Sequence, residues 1–491
     1  MLRRLLLSIA LISCLVPPAL GGTGLALPDL GSGSIRMLAG TQEEHIGRSI
    51  LNELRRANLV LEDPEINEYI QDLGKRLVAA AHNGPVEFTF FVVRDDAINA
   101  FALPGGYIGV HSGLITRTQT ESELASVLAH EVAHITQRHI SRRFEASSGM
   151  NLKSLAVLLG AIALAASGAS GDNVTGAMML GQGFALQQQI NFTRAQEYEA
   201  DRVGIEILAD AGFDPVGMVN FFEIMQRIQR LQNSRMPEFL STHPLSLSRV
   251  SEASQRVQQM SGERGAVRES RSYPLMKARL GILGGTNPLL LGNADESKDG
   301  RTLRYARALD LAQGGNADKA VPIFRTLLEE DESVMHYHLG LGKTLLETGA
   351  RDESIAVFEN ASRIFPGNVP VGLAHAEALR RSDQAGGALD VLRDLFNRRE
   401  PKPENIRFMA QIAAEAGEGA ESHYYMSEYY LRTGDLNSAR EQLQLALDKA
   451  PPSTNEQLQY QARLEEVSRV LLEVRANEPR ERNDEPPPRR R

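Results

Sequence analysis

His130-Glu131-Val132-Ala133-His134 lies inside a strongly helical run, Ser122 to about Arg143, with Ser122 as the expected cap and Leu124, Val127, Leu128, Val132 and Ile135 as its apolar positions. Residues four apart on a helix stand one above the other, so both imidazoles leave the same side. That spacing suits two corners of a tetrahedral zinc site. Glu131, next to the first imidazole, reaches a water on the metal without being a ligand. Zinc lowers the pKa of such a water from about 15.7 to about 7, and a neighbouring carboxylate takes the proton as the water attacks a carbonyl.

A catalytic zinc takes three protein ligands and leaves a fourth place open. His139 is the nearest further histidine, but five residues past His134 it lies well round a continuous helix and reads as a surface residue. The better third ligand is downstream, in Glu197-Tyr198-Glu199-Ala200-Asp201. Glu197 and Asp201 are four apart and share a helix face, whereas Glu199 points elsewhere. Glu197 is therefore the expected ligand. Asp201 is placed to take a hydrogen bond from the far nitrogen of a ligand histidine and fix its tautomer.

Upstream, helical spacing runs from Thr41 through Ile46, Ile50, Leu51 and Leu54, and Pro64 opens a second helix with Ile66, Tyr69, Ile70, Leu73 and Leu77 on one face. The period then changes to two at Val86, Phe88, Phe90 and Val92, which predicts a strand. Ile98–Leu103 and Tyr107–His111, joined at Pro104-Gly105-Gly106, read as two more extended segments. Residues 155–166 are apolar all round but too short to span a bilayer, so they read as a buried helix or lid, or as a surface for membrane or unfolded protein.

Residues 263–300 are rich in Gly, Ser and charge and read as a linker after a metallopeptidase domain over 41–262. Over 301–475 a repeat appears: Ala320 and Phe324, Ser354 and Phe358, and Ala388 and Leu392 recur at a step of 34. This is the tetratricopeptide period, predicting stacked helical hairpins whose concave face binds protein partners. A fourth unit fits at Ala439 and Leu443, displaced as if about 17 residues were inserted near 401–420. The Pro/Arg-rich stretch 476–491 has too little apolar surface to fold.

The combination of HEVAH, EYEAD and the upstream Asn99-Ala100-Phe101-Ala102 segment resembles the M-48 zinc metallopeptidases, in particular periplasmic members that carry tetratricopeptide repeats. The resemblance implies an α+β gluzincin-type domain, mostly helical with a small sheet, followed by an all-α solenoid. It also implies one Zn2+ per chain on His130, His134 and Glu197, with Glu131 as general base and Asp201 behind the ligands. Asn99, Ala100 and Phe101 would form the strand at the cleft edge, where a substrate backbone adds. The resemblance further singles out His243 in Ser241-Thr242-His243-Pro244, either as a donor to the developing oxyanion or as a latency ligand in the water's place. Arg249 is a further residue expected to support the same loop.

The first 26 residues read as a secretory signal, with Arg3 and Arg4 before the apolar Leu5–Val16. Cys14, the one cysteine, lies within it, so the mature chain either has no cysteine or is lipidated there. A periplasmic protein follows from either reading, with peripheral membrane association open. The net charge of −9 argues against nucleic acid as a partner. Two functions fit: an endopeptidase acting on misfolded or stalled envelope proteins in outer-membrane protein quality control, or a chaperone or scaffold working through the repeats, with the outer-membrane assembly machinery among its candidate partners and the protease largely latent.

Overall fold

A computed structural model describes residues 42–81, 86–140, 142, 193–231, 238–260, 270–285 and 300–477. Cys14 and the signal-like segment, the apolar run 155–166 and the tail beyond Asn477 lie outside the described residues.

The metallopeptidase part is built on helices α1 (Gln42–Arg56) and α2 (Pro64–Ala80), then strands β1 (Thr89–Val93), β2 (Ala100–Leu103) and β3 (Tyr107–His111). Asp63 caps α2, its carboxylate accepting from the Glu65 and Ile66 amides, and Pro64 pre-sets the first turn. The sheet order is β1-β3-β2, with β1 parallel and β2 antiparallel to β3. The side chains of β1 alternate between two layers: Phe90 and Val92 join the main core with α2, while Phe91 and Val93 pack with Ile46, Ile50 and Leu51 of α1.

Helices α3 (Ser112–Arg117) and α4 (Glu121–Thr136) follow, then α5 (Arg194–Asp210), α6 (Val216–Leu231), α7 (Glu238–Thr242) and α8 (Leu247–Gln259). Thr120, not Ser122, caps α4: Thr120 and Glu123 form a reciprocal capping box, and the Ser122 hydroxyl accepts instead from the Asp214 amide. Helix α5 crosses α4 at very short range, because a Cβ on Gly204 would stand 3.3 Å from the His130 backbone. That close crossing brings the acidic face of α5 onto the histidines of α4.

The stretch expected as a linker contains α9 (Ser272–Leu283), whose Leu275, Met276, Leu280 and Ile282 are buried. The Gly, Ser and charge around this apolar cluster hid it. Beyond it runs the solenoid: α10 (Arg301–Gln313), α11 (Ala317–Glu330), α12 (Met335–Glu347), α13 (Arg351–Ile364), α14 (Val369–Arg381), α15 (Ala385–Arg398), α16 (Pro403–Glu415), α17 (Gly419–Thr433), α18 (Leu436–Lys449) and α19 (Asn455–Asn477). The inserted residues expected near 401–420 are not an insertion. The fourth hairpin, α16 with α17, keeps the 34-residue step, and α18 with Ala439 is an additional helix packed between α17 and α19. Ser422 and Met426 stand where earlier units have Ala or Ser and then Phe or Leu, which obscured the unit. The Ser422 hydroxyl donates to Ala410 O at 2.8 Å, as Ser354 does to Gly342 O at 2.8 Å.

The residue between paired helices recurs in the left-handed region at Gly315, Gly349, Asp383 and Gly417. One apolar core runs from Leu61 through α4 and α9 into the first repeats as far as Leu345. A buried charge cluster crosses the same boundary. Glu65 of α2 lies 3.2 Å from Arg279 of α9, 2.9 Å from His336 and 2.8 Å from Lys343, the last two on α12.

Candidate metal centre

The i, i+4 pair on α4 and the acidic face of α5 meet under α7. His130, His134, Glu197 and His243 each offer one ligand atom, and these four atoms lie within 4.8 Å of one another. His130 Nε2 is 3.0 Å from His134 Nε2 and 3.3 Å from His243 Nδ1. Glu197 Oε1 is 3.0 Å from His243 Nδ1 and 3.4 Å from His134 Nε2, and Glu197 Oε2 is 3.6 Å from His130 Nε2. Ligand atoms about 2.0–2.1 Å from a tetrahedral zinc stand about 3.3 Å apart. The separations, and the three-nitrogen, one-carboxylate donor set, fit one zinc ion.

His243 arrives from α7, where its amide donates to Phe239 O at 2.8 Å and its ring stacks on the Phe239 ring at 4.7 Å. Its Nδ1 faces the cluster, and its Nε2 lies 3.5 Å from Glu131 Oε1. Glu131 is fully buried, and the Ala102 amide of β2 faces it without closing a hydrogen bond of good geometry. Burial raises the Glu131 carboxyl above its usual range, opposed by the His243 and His130 charges.

Behind the cluster, His130 Nδ1 is 3.1 Å from Asp201 Oδ1, the contact expected of Asp201. Burial works against a charge on His130, but the hydrogen bonds to Asp201 and Glu197 outweigh it and push its pKa up to about 10. Arg249 of α8 is 2% exposed. Its Nε and Nη2 donate to Asp201 at 2.7 Å each, and its Nη1 pairs with Glu197 Oε2 at 2.7 Å and donates to Pro244 O at 2.8 Å. One guanidinium thus joins both carboxylates of α5 to the loop beside His243. This hub was only weakly readable in the sequence, since nothing in the Ser246–Arg249 spacing points back at α5.

His139 is not at the surface. It is fully buried, with Nδ1 2.9 Å from His134 Nδ1 and Nε2 3.0 Å from Glu199 Oε2. A continuous helix would carry it away from His134, but α4 ends at Thr136 and Arg138 takes φ +54°, which swings the next residue back.

Asn99 is buried at the start of β2, and Ala100 and Phe101 lie in it. The His111 amide donates to Asn99 O, so in the antiparallel alternation the backbone groups of Ala100 and Ala102 turn away from β3. Among the described residues β2 pairs with β3 alone, and α4 packs against it.

The family model described as Peptidase family M48 matches residues 64–257, and a tetratricopeptide repeat model matches residues 305–369. The chain is 33% identical to a beta-barrel assembly-enhancing protease of Escherichia coli over 93% of its own length and 94% of that protein's. It is 32% identical to the protein so named in Yersinia pestis, over 90% of this chain and 92% of the relative. A mitochondrial metalloendopeptidase OMA1 of Schizosaccharomyces pombe is 32% identical over 37% of this chain and 50% of the relative. The chain belongs to peptidase family M48. This family M48 protein is a zinc metallopeptidase with an α+β catalytic domain and a helical repeat region. Among its described residues, no helix is long and apolar enough to cross a membrane.

Proposed function

We propose that this metallopeptidase is a periplasmic endopeptidase that cleaves extended segments of misfolded or stalled envelope proteins, in the quality control of outer-membrane protein assembly. The names of its near full-length relatives support the setting. The observation that carries the chemistry is the packing of His130, His134, Glu197 and His243 beside strand β2, whose other edge pairs with no strand among the described residues.

In this reading His130, His134 and Glu197 are the zinc ligands. When bound, zinc supplies Lewis acidity toward the scissile carbonyl and acidifies a water. Glu131 would accept a proton from the attacking water and return it to the leaving amine. Its buried setting raises its proton affinity toward the value that general acid–base work requires. A substrate backbone adds to β2, with Ala100 and Ala102 offering the outward N–H and C=O groups. Such recognition reads extended backbone, so it favours unfolded chain over folded protein. Asp201 fixes the His130 tautomer, and Arg249 holds Asp201 and Glu197 in place. The repeat region is the surface for protein partners or bound clients.

His243 Nδ1 lies 3.3 Å from His130 Nε2 and 3.0 Å from Glu197 Oε1, where it would supply a fourth donor to the zinc; this supports the latency role for this histidine and a protease held closed until a client displaces it. A scaffold or chaperone reading draws on the same observation. Glu131→Gln separates the two. The variant is expected to keep one zinc and lose cleavage of an unfolded model protein by about 10²–10⁴-fold. Cleavage at the wild-type rate would sink the assignment of the base, and an absence of zinc from metal-supplemented wild type would sink the metal site.

A further inference from the structure

Helix α5 presents three carboxylates to four histidines. Glu197 faces His243 and His134, Asp201 faces His130, and Glu199, on another side of the helix, reaches His139. The last pair lies outside the four-residue cluster, yet His139 touches it through His134. Getting there needs a backbone departure: the left-handed region costs a non-glycine residue about 1–2 kcal/mol, and Arg138 sits in it at φ +54°. Without that turn a histidine five residues beyond His134 would point away from it.

We infer that His139, anchored by Glu199, is a positioning residue for His134, fixing its tautomer and ring plane as Asp201 does for His130. The inference rests on His134 being a zinc ligand through Nε2. A metal on Nε2 requires the proton of a neutral His134 to stand on Nδ1. That Nδ1–H donates across 2.9 Å to His139 Nδ1, which must accept and therefore carries its own proton on Nε2. The Nε2–H of His139 donates across 3.0 Å to Glu199 Oε2, and Arg142 Nη2, 3.5 Å from the same oxygen, holds the carboxylate. This proton arrangement satisfies the whole chain from His134 to Glu199 with each histidine neutral. The two ligand histidines of α4 are thus backed differently, His130 directly by a carboxylate and His134 by a carboxylate acting through an intervening imidazole.

The test is zinc affinity, measured by competition with a chromophoric chelator on the full chain, for wild type, His139→Leu, His139→Asn, Glu199→Gln and His134→Ala. Loss of an orienting partner costs a metal site about 10–100-fold in affinity. His139→Leu is expected to weaken zinc by that factor. His139→Asn, which keeps a hydrogen-bonding atom where Nδ1 stands, should recover most of the loss. Glu199→Gln, which keeps an acceptor oxygen but loses the charge, should fall between wild type and His139→Leu. Wild-type affinity in His139→Leu would overturn the inference, and so would an equal loss in Leu and Asn variants, since that pattern reports packing alone. If His134→Ala holds zinc as tightly as wild type, the ligand reading itself fails and takes this inference with it.

Discussion

Arg249 grips Asp201 through two parallel N–H bonds of 2.7 Å each, the fork-to-fork pairing of a guanidinium with a carboxylate. The same guanidinium lies 2.7 Å from Glu197 Oε2, so removing its shape leaves two buried carboxylates poorly matched. A lysine offers a point charge and cannot make the fork. Arg249→Lys is therefore expected to weaken zinc by about 10–100-fold and to lower the melting temperature of the metal-free protein. Unchanged zinc affinity would remove Arg249 from the support of the site.

His243→Ala removes the fourth donor from the cluster. If His243 holds the enzyme latent, the variant should keep zinc and cleave an unfolded protein faster, by roughly tenfold, the factor that about 1.4 kcal/mol of ligand displacement represents. A slower variant would assign His243 to the transition state instead. Time courses of cleavage at equal zinc loading distinguish the two.

The buried Glu65 predicts acid sensitivity at the junction of the two domains. Burial pushes its carboxyl up, but the Arg279 and Lys343 charges more than reverse this and hold it well below the unfolded value of 4.5. A depressed folded pKa contributes stability that is fully present above about pH 4.5 and lost as the pH falls through the folded value. Melting temperature should thus fall on acidification below that point, and less steeply in Glu65→Gln. At neutral pH the same substitution removes one of the two carboxylates that Arg279 pairs with, Asp63 remaining at 2.7 Å, and should cost about 1–3 kcal/mol.

Asp383 occupies at φ +61° the turn position that Gly315, Gly349 and Gly417 fill in the other hairpins. Its ion pair with Arg351 is 3.6 Å long and almost fully exposed on the Asp383 side, so little is lost with it. Asp383→Gly should stabilise the protein by roughly 0.5–1 kcal/mol, the left-handed cost less the extra chain entropy of glycine. A destabilised variant in chemical denaturation would show that the Asp383 side chain contributes more than its backbone costs.

Much of the site lies in helical spacing, and spacing is readable. His130 with His134, and Glu197 with Asp201, are pairs four apart, so their shared faces follow from the period alone. The three strands were visible for the same reason, in the alternation around Phe88 and Phe90 and in the Pro104-Gly105-Gly106 turn. His139 was misread because its position depends on the dihedral of Arg138, and arginine carries no signal for φ above zero. Arg249 and its distant carboxylates meet only through the packing of α8 on α5, which no local pattern encodes. Helix α9 is hard to see in the sequence because its 12 residues interleave apolar positions with Ser272, Lys277 and Arg279 inside a polar stretch.

The unbroken core from Leu61 to Leu345 has a consequence for how the molecule can be handled. Catalytic domain and first repeats share their interior, so neither is a detachable module: a cut near residue 300 would lay bare Tyr305, Phe324 and the apolar side of α9 together. Heating should melt the two as a single cooperative unit. With that joint rigid, the solenoid acts as a ruler, and the span between a partner seated on the repeats and the cluster of His130, His134, Glu197 and His243 is set by the number of hairpins rather than by a flexible tether.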